Sequence, residues 1–174
     1  SGQTIIHVTH DYEEAVSLAD RVAIMENGAI KQIGTPIEVF QHPQSEFVAR
    51  FVGIRNVLRG ELDTSGLHED ATPFLSNGLK FWTMTDAAGG PGLLILRSED
   101  ITLSKNAPES SARNCFEGTV TDIVPARMGL EVCVDIGAPL AAVVTRASTE
   151  KLGLAVGGRI WLSFKASAAH FTGD

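Results

Sequence analysis

No G-x-x-x-x-G-K-[ST] sequence occurs in the chain, so nothing in it could cradle a nucleoside triphosphate in the usual phosphate loop. Cysteine is scarce: Cys115 and Cys133 stand among apolar neighbours without a C-x-x-C pair, and are expected to be reduced core thiols. No apolar run approaches the ~20 residues of a membrane-spanning helix, and no signal-peptide pattern precedes the first apolar segment, so a cytosolic protein is expected. Positive charge is short as well. Lys and Arg number 14 against 21 Asp and Glu, a formal charge of −7, whereas a nucleic-acid surface needs a basic patch. DNA and RNA are therefore not expected as partners, although local dipoles and one or two cations could still hold a small anion. His7, His42, His68 and His170 show no ligand spacing, so no metal site is expected, and the absence of a nucleophile elbow argues against a hydrolase.

What is present is enough for a real core: 174 residues, 44% hydrophobic and 20% charged, one ordinary domain or two small ones. Residues 4–9 are nearly all apolar or β-branched and predict a strand buried on both faces. Asp11 with Glu14 reads as a capping box for a helix running to about Ala19. Val22–Glu26 and Ala29–Ile33 flank Asn27-Gly28, a strong hairpin signal. Thr35-Pro36 with Glu38 opens a helix that Pro43 ends. A second short helix, Ser45 to Val52, should bury Phe47, Val48, Phe51 and Val52 and stop at Gly53.

After Gly53 short apolar runs between Gly, Pro, Asn and Asp replace helical spacing, which predicts small β units. Arg55-Asn56-Val57-Leu58-Arg59-Gly60 is echoed by Arg113-Asn114-Cys115-Phe116-Glu117-Gly118, and Leu94–Ser98 loosely by Leu162–Ala166. The echoes predict two related five-stranded barrel-like units, or one barrel assembled from both halves. The linker Ser104 to Ser110 should be exposed, residues 63–78 with His68 read as a loop, and Gly89–Gly92 as a turn. Trp82 and Trp161 are expected in the core, and Tyr12 partly exposed on the first helix.

Two groups of residues could carry chemistry. His10, at the exit of the first strand, could donate a hydrogen bond to a phosphate oxygen. The second group is Ser110-Ser111-Ala112-Arg113-Asn114 with Lys165-Ala166-Ser167. Small and polar residues before a strand can turn several backbone N–H groups toward one point, and hydroxyls, an amide and an ammonium could complete a shell around a tetrahedral dianion.

Residues 4–20, continuing through the Asn27-Gly28 hairpin and Ile33-Gly34-Thr35-Pro36 to Phe51-Val52-Gly53, resemble the switch-histidine segment of ATP-binding-cassette (ABC) importer ATPases. The resemblance implies that His10 is the switch histidine of a longer ATPase and idle here, because the core that binds ATP and Mg is missing. Residues 110–171, with Ser-Ala-Arg-Asn, Thr145-x-x-Ser148, Leu152-Gly153-Leu154, Gly157 and Phe164-Lys165-Ala166-Ser167, resemble the molybdate-binding Mop module, a small OB-like barrel of the TOBE type. That resemblance implies an oxyanion site of Ser111, Ala112, Arg113, Asn114, Lys165, Ala166 and Ser167 at a dimer interface, taking molybdate or tungstate. Glu99-Asp100 stands in the first half where the second has Ser167-Ala168, and two carboxylates would repel a dianion, so binding is expected in the second half only.

The fold class expected is mixed: a small α/β remnant of an ABC ATPase domain (residues 1–53), then an all-β OB-like TOBE/Mop domain (54–174) with halves of about 54–105 and 110–174. The function expected is the regulatory C-terminal part of a molybdate/tungstate importer's ATP-binding subunit, homodimeric and held at the membrane through permease subunits. The alternatives are a packing and dimerisation module of an importer for sulfate, a sugar or a polyamine, and a DNA-binding molybdate regulator. The last would need a helix-turn-helix and a basic face where the switch-histidine segment stands.

Overall fold

A computed structural model describes residues 3–66 and 70–173, with the backbone alone described at Tyr12. His68 and the Tyr12 side chain thus lie outside what is described. The chain divides into two compact units, Ser1–Val52 and Gly53–Asp174.

In the first unit residues 4–9 form no strand, contrary to expectation, and Ile5, Ile6 and Val8 are 82%, 90% and 91% exposed. A strand needs a neighbour to complete its ladder, and the only sheet among the described residues of this unit is the hairpin that follows. Helix α1 spans Tyr12–Leu18. Asp11 caps it as expected, accepting from the amides of Glu13 at 2.7 Å and Glu14 at 3.1 Å. The Glu14 carboxylate accepts instead from the Thr9 hydroxyl at 2.7 Å and meets His7 Nε2 at 3.4 Å, so the box is half made. Strands β1 (Val22–Glu26) and β2 (Ala29–Gly34) turn at Asn27 and Gly28, both at positive φ, which suits the type I′ geometry that this pair favours.

Helix α2 (Pro36–Gln41) carries the full capping box between Thr35 and Glu38 with Pro at its start, and α3 (Glu46–Phe51) is capped by Ser45. Ile24, Val39 and Val48 form a small core with Val22, Phe47 and Val52 against it. Phe51, expected inside, is 57% exposed, while Ala49 is buried in its stead: the helix turns that side chain outward, where its ring lies 6.0 Å from that of Phe47. Buried Gln32 ties the hairpin to the helices, donating to the carbonyls of Glu38 and His42 and accepting from Gln44 N–H at 2.9 Å.

Among the described residues, the second unit holds two five-stranded antiparallel sheets, one 3₁₀ turn in each half and one short helix. Its elements are β3 (Asn56–Leu62), β4 (Thr72–Ser76), β5 (Leu79–Thr83), β6 (Gly90–Leu96), β7 (Thr102–Ser104), β8 (Asn114–Ala126), β9 (Gly129–Asp135), β10 (Pro139–Val144), α4 (Arg146–Leu152), β11 (Arg159–Phe164) and β12 (Ala169–Gly173). The strand orders are β12-β6-β3-β4-β5 and β10-β9-β8-β11-β7. Counted from the start of each half, the two orders are the same, and each sheet takes its outer strand from the other half. Thus β7 pairs Leu103 with Leu162, and β12 pairs Phe171 with Leu94.

One core serves both sheets. Leu58, Phe74, Phe81 and Leu94 from the first half pack with Val120, Val132, Ile160 and Leu162 from the second. The echoed residues occupy matching places: Asn56 pairs in register with Leu96, and Asn114 with Phe164. A Cβ on the echoed glycines would strike the adjoining strand, at 2.1 Å from Leu75 O for Gly60 and 2.6 Å from Val134 Cγ1 for Gly118.

Four local expectations differ from the structure. Gly90-Pro91-Gly92 is the beginning of β6, not a turn, and Gly92 lets β12 approach, since a Cβ there would lie 2.4 Å from Thr172 O. The supposed loop 63–78 contains β4, joined to β5 by a second Asn-Gly turn at Asn77 and Gly78. Cys115 and Cys133 are half-buried free thiols on β8 and β9 rather than core residues, and burial still pushes both thiols up. Trp82 and Trp161 are likewise only half-buried.

Candidate functional site

The last residues before β8 and the 3₁₀ turn Ala166–Ala168 after β11 lie side by side, because β8 and β11 are neighbours paired from Asn114↔Phe164 to Thr119↔Arg159. Between them opens a cleft of about 580 Å³. Ser110, Ser111 and Ala112 line one side, and Lys165 and Ser167 the other. Of the seven residues that the sequence assigns to an anion site, Ser111, Ala112, Lys165 and Ser167 face this space.

The other three point elsewhere. Arg113 sets its guanidinium 5.5 Å from the centre of the Trp82 ring and 3.6 Å from the Asp70 carboxylate. Ala166 is buried, and its carbonyl accepts from Met84 N–H at 3.2 Å. Asn114 is 0% exposed. Its side-chain oxygen accepts from Trp82 N–H at 2.7 Å and its amide donates to the Trp82 carbonyl at 2.8 Å, so it completes a sheet edge. Asn56 does the same for Ala141 on β10, with bonds of 2.7 and 2.9 Å.

The cleft also collects residues outside that assignment: Thr102 and Asp100 from the first half, Ser163 and Phe164 from β11, and His170 from β12. Strand exchange brings them there, since Ser163 stands opposite Thr102 across β11 and β7. Sequence spacing carries no trace of that pairing; the Ser-rich start of β8 and the Phe-Lys-Ala-Ser run are the local signals. Asp100 matters most. Asp100, which stands in the first half at the place matching Ala168, lines this cleft too. Burial pushes its carboxyl above the ordinary range, Glu99 adds to the rise, and Arg97 and His170 oppose it.

Chemically the cleft offers hydroxyl donors and an ammonium, a set suited to holding a small oxyanion. The Ala112 amide donates to Ser110 Oγ at 3.2 Å, so one N–H of the expected nest is turned onto the loop itself. His10 is exposed in the first unit, just ahead of α1. No group of three metal-ligating side chains occurs among the described residues, and among them no helix is long and apolar enough to cross a membrane.

The model of the TOBE domain matches residues 110–171. The molybdate/tungstate import ATP-binding protein WtpC of Pyrococcus abyssi is 39% identical over 96% of this chain and 46% of its own length. The spermidine/putrescine import ATP-binding protein PotA of Trichormus variabilis is 38% identical over 71% of this chain and 33% of its own. The chain thus spans about half the length of the former, or less of the latter. A crystal structure of the cytoplasmic molybdate-binding protein ModG, with molybdate bound, superposes with a TM-score of 0.62 at 24% identity, covering 70% of this chain and 98% of that one. At that identity the likeness concerns the fold, which is all-β and OB-like in the second unit.

Proposed function

We propose, from the premise that the chain carries a TOBE domain and is homologous to the ATP-binding subunits of molybdate/tungstate importers, that it is the regulatory part of such a subunit. Molybdate or tungstate from the cytosol binds in the cleft between Ser111 and Lys165, across a homodimer, and feeds back on ATP-driven uptake through the permease subunits. The observation that carries this reading is the convergence of Ser111, Lys165 and Ser167 on one cleft from two neighbouring strands. The two halves are read as copies of one module, supported by their equal strand orders and paired Asn braces. Residues 1–53 are read as the end of the ATPase domain, with His10 its switch histidine; ATP and Mg belong to the longer subunit, which sits at the inner membrane face.

A second reading has a specific observation behind it. Asp100 in the cleft repels a dianion, and the relatives include a polyamine importer, so the domain could serve packing and dimerisation alone. Calorimetry separates the two. Heat on titrating molybdate or tungstate, lost in Lys165→Ala, supports the first, and silence from well-folded protein supports the second. Inhibition requires tighter anion binding to the inactive arrangement. ATPase activity of the full importer should therefore fall as molybdate rises on the cytosolic side, and constant activity at saturation would remove the regulatory role.

A further inference from the structure

We infer that the cleft takes up one proton from solvent with each oxyanion, and that Asp100 holds it; the inference rests on the anion reading above. A dianion and an ionised carboxylate lining the same cleft repel one another. Asp100 lines the same space as Ser111, Lys165 and Ser167, and its place is set by backbone: the 3₁₀ turn Ser98–Asp100 leads directly into β7, which is pinned to β11. A protonated Asp100 turns from a repulsive acceptor into a donor, giving an O–H···O bond to the anion. No covalent bond changes; the proton leaves water and rests on the carboxyl oxygen facing the ligand.

The surroundings favour this. Burial and Glu99 already raise the Asp100 carboxyl before any anion arrives, and a bound dianion adds a further push in the same direction. Arg97 from its own turn and His170 from β12 oppose the rise, and Lys165 across the cleft is shared with the ligand. A group whose pKa rises on binding makes binding tighter as pH falls, in the window between its free and bound values. The site therefore fills more readily when the cytosol is more acid.

Calorimetry with tungstate between about pH 8 and about pH 6 tests this, with up to about a tenfold gain in affinity per pH unit expected for one linked proton. Repeating the titration in buffers of different ionisation heat should return an uptake near one proton. Asp100→Asn keeps a donor without the charge, and should bind tungstate more tightly at the upper pH with a flat pH profile. His170→Gln should keep the slope. Wild-type affinity without pH dependence overturns the inference, as does a slope lost in His170→Gln but retained in Asp100→Asn, which moves the proton to the imidazole. Absence of tungstate heat at every pH, in the wild type and in Asp100→Asn, overturns the anion reading itself.

Discussion

Replacing Asn114 with alanine separates two roles that the sequence left joined, ligand and brace. In the structure both functional atoms of its amide are engaged by the Trp82 backbone at 2.7 and 2.8 Å, and the residue is 0% exposed. Trp82 lies on β5, the outer strand of its sheet, and these two bonds tie its backbone to the head of β8. Leaving a buried donor or acceptor unpaired costs about 1–3 kcal/mol each. Trp82 is half-buried, so water can reach part of the vacated space and the lower half of that range applies. The loss should be about 2–4 kcal/mol in total. At about 4 °C per kcal/mol, the melting temperature should drop by roughly 8–16 °C. Urea unfolding followed by Trp fluorescence and circular dichroism measures the free-energy loss directly. Asn56→Ala, which unpairs Ala141 in the same way, should cost a similar amount. A change below about 0.5 kcal/mol in either variant would refute the bracing argument.

Gly60→Ala and Gly118→Ala should each destabilise the second unit by about 1–3 kcal/mol through overpacking, since the new Cβ would meet Leu75 O at 2.1 Å or Val134 Cγ1 at 2.6 Å; urea unfolding reads both. Gly28→Ala should cost about 1–2 kcal/mol from backbone strain alone, because φ is +79° and no atom lies within 4 Å; loss of hairpin amide protection checks it. Thr35→Ala should weaken α2 by about 1 kcal/mol, seen as faster hydrogen exchange over residues 36–41. The backbone amide and hydroxyl of Thr35 hold the Glu38 carboxyl below its ordinary range. The capping bond is thus fully present above the usual carboxylate range and lost as pH falls through the lowered value, which an amide titration of Thr35 would follow.

Local chemistry was legible where one turn decides the backbone. Asn27-Gly28, Thr35-Pro36 with Glu38, and Asp11 before α1 each act within four residues, and each appears where spacing puts it. The same signal stood unread at Asn77-Gly78, and again at Thr145 with Gly153, which cap α4. Long-range pairing was not legible. Residues 4–9 have the composition of a buried strand, but composition supplies no partner. Gly92 looked like turn chemistry because the approach of β12, some eighty positions away, leaves no mark near it. The anion cleft was half read: serines and lysine follow from local runs, whereas Asp100 and Thr102 enter through a strand exchange that no window of sequence contains.

That exchange has a mechanical consequence. The connection from Lys105 to Glu109 is the only covalent tie between halves that already clasp one another through β7 and β12, and it is largely exposed. A protease nick there would sever the chain without releasing either piece, because each fragment carries the closing strand of the other's sheet. Expressed as separate polypeptides, the two should reconstitute one another on mixing, while either alone would present a bare sheet edge and aggregate.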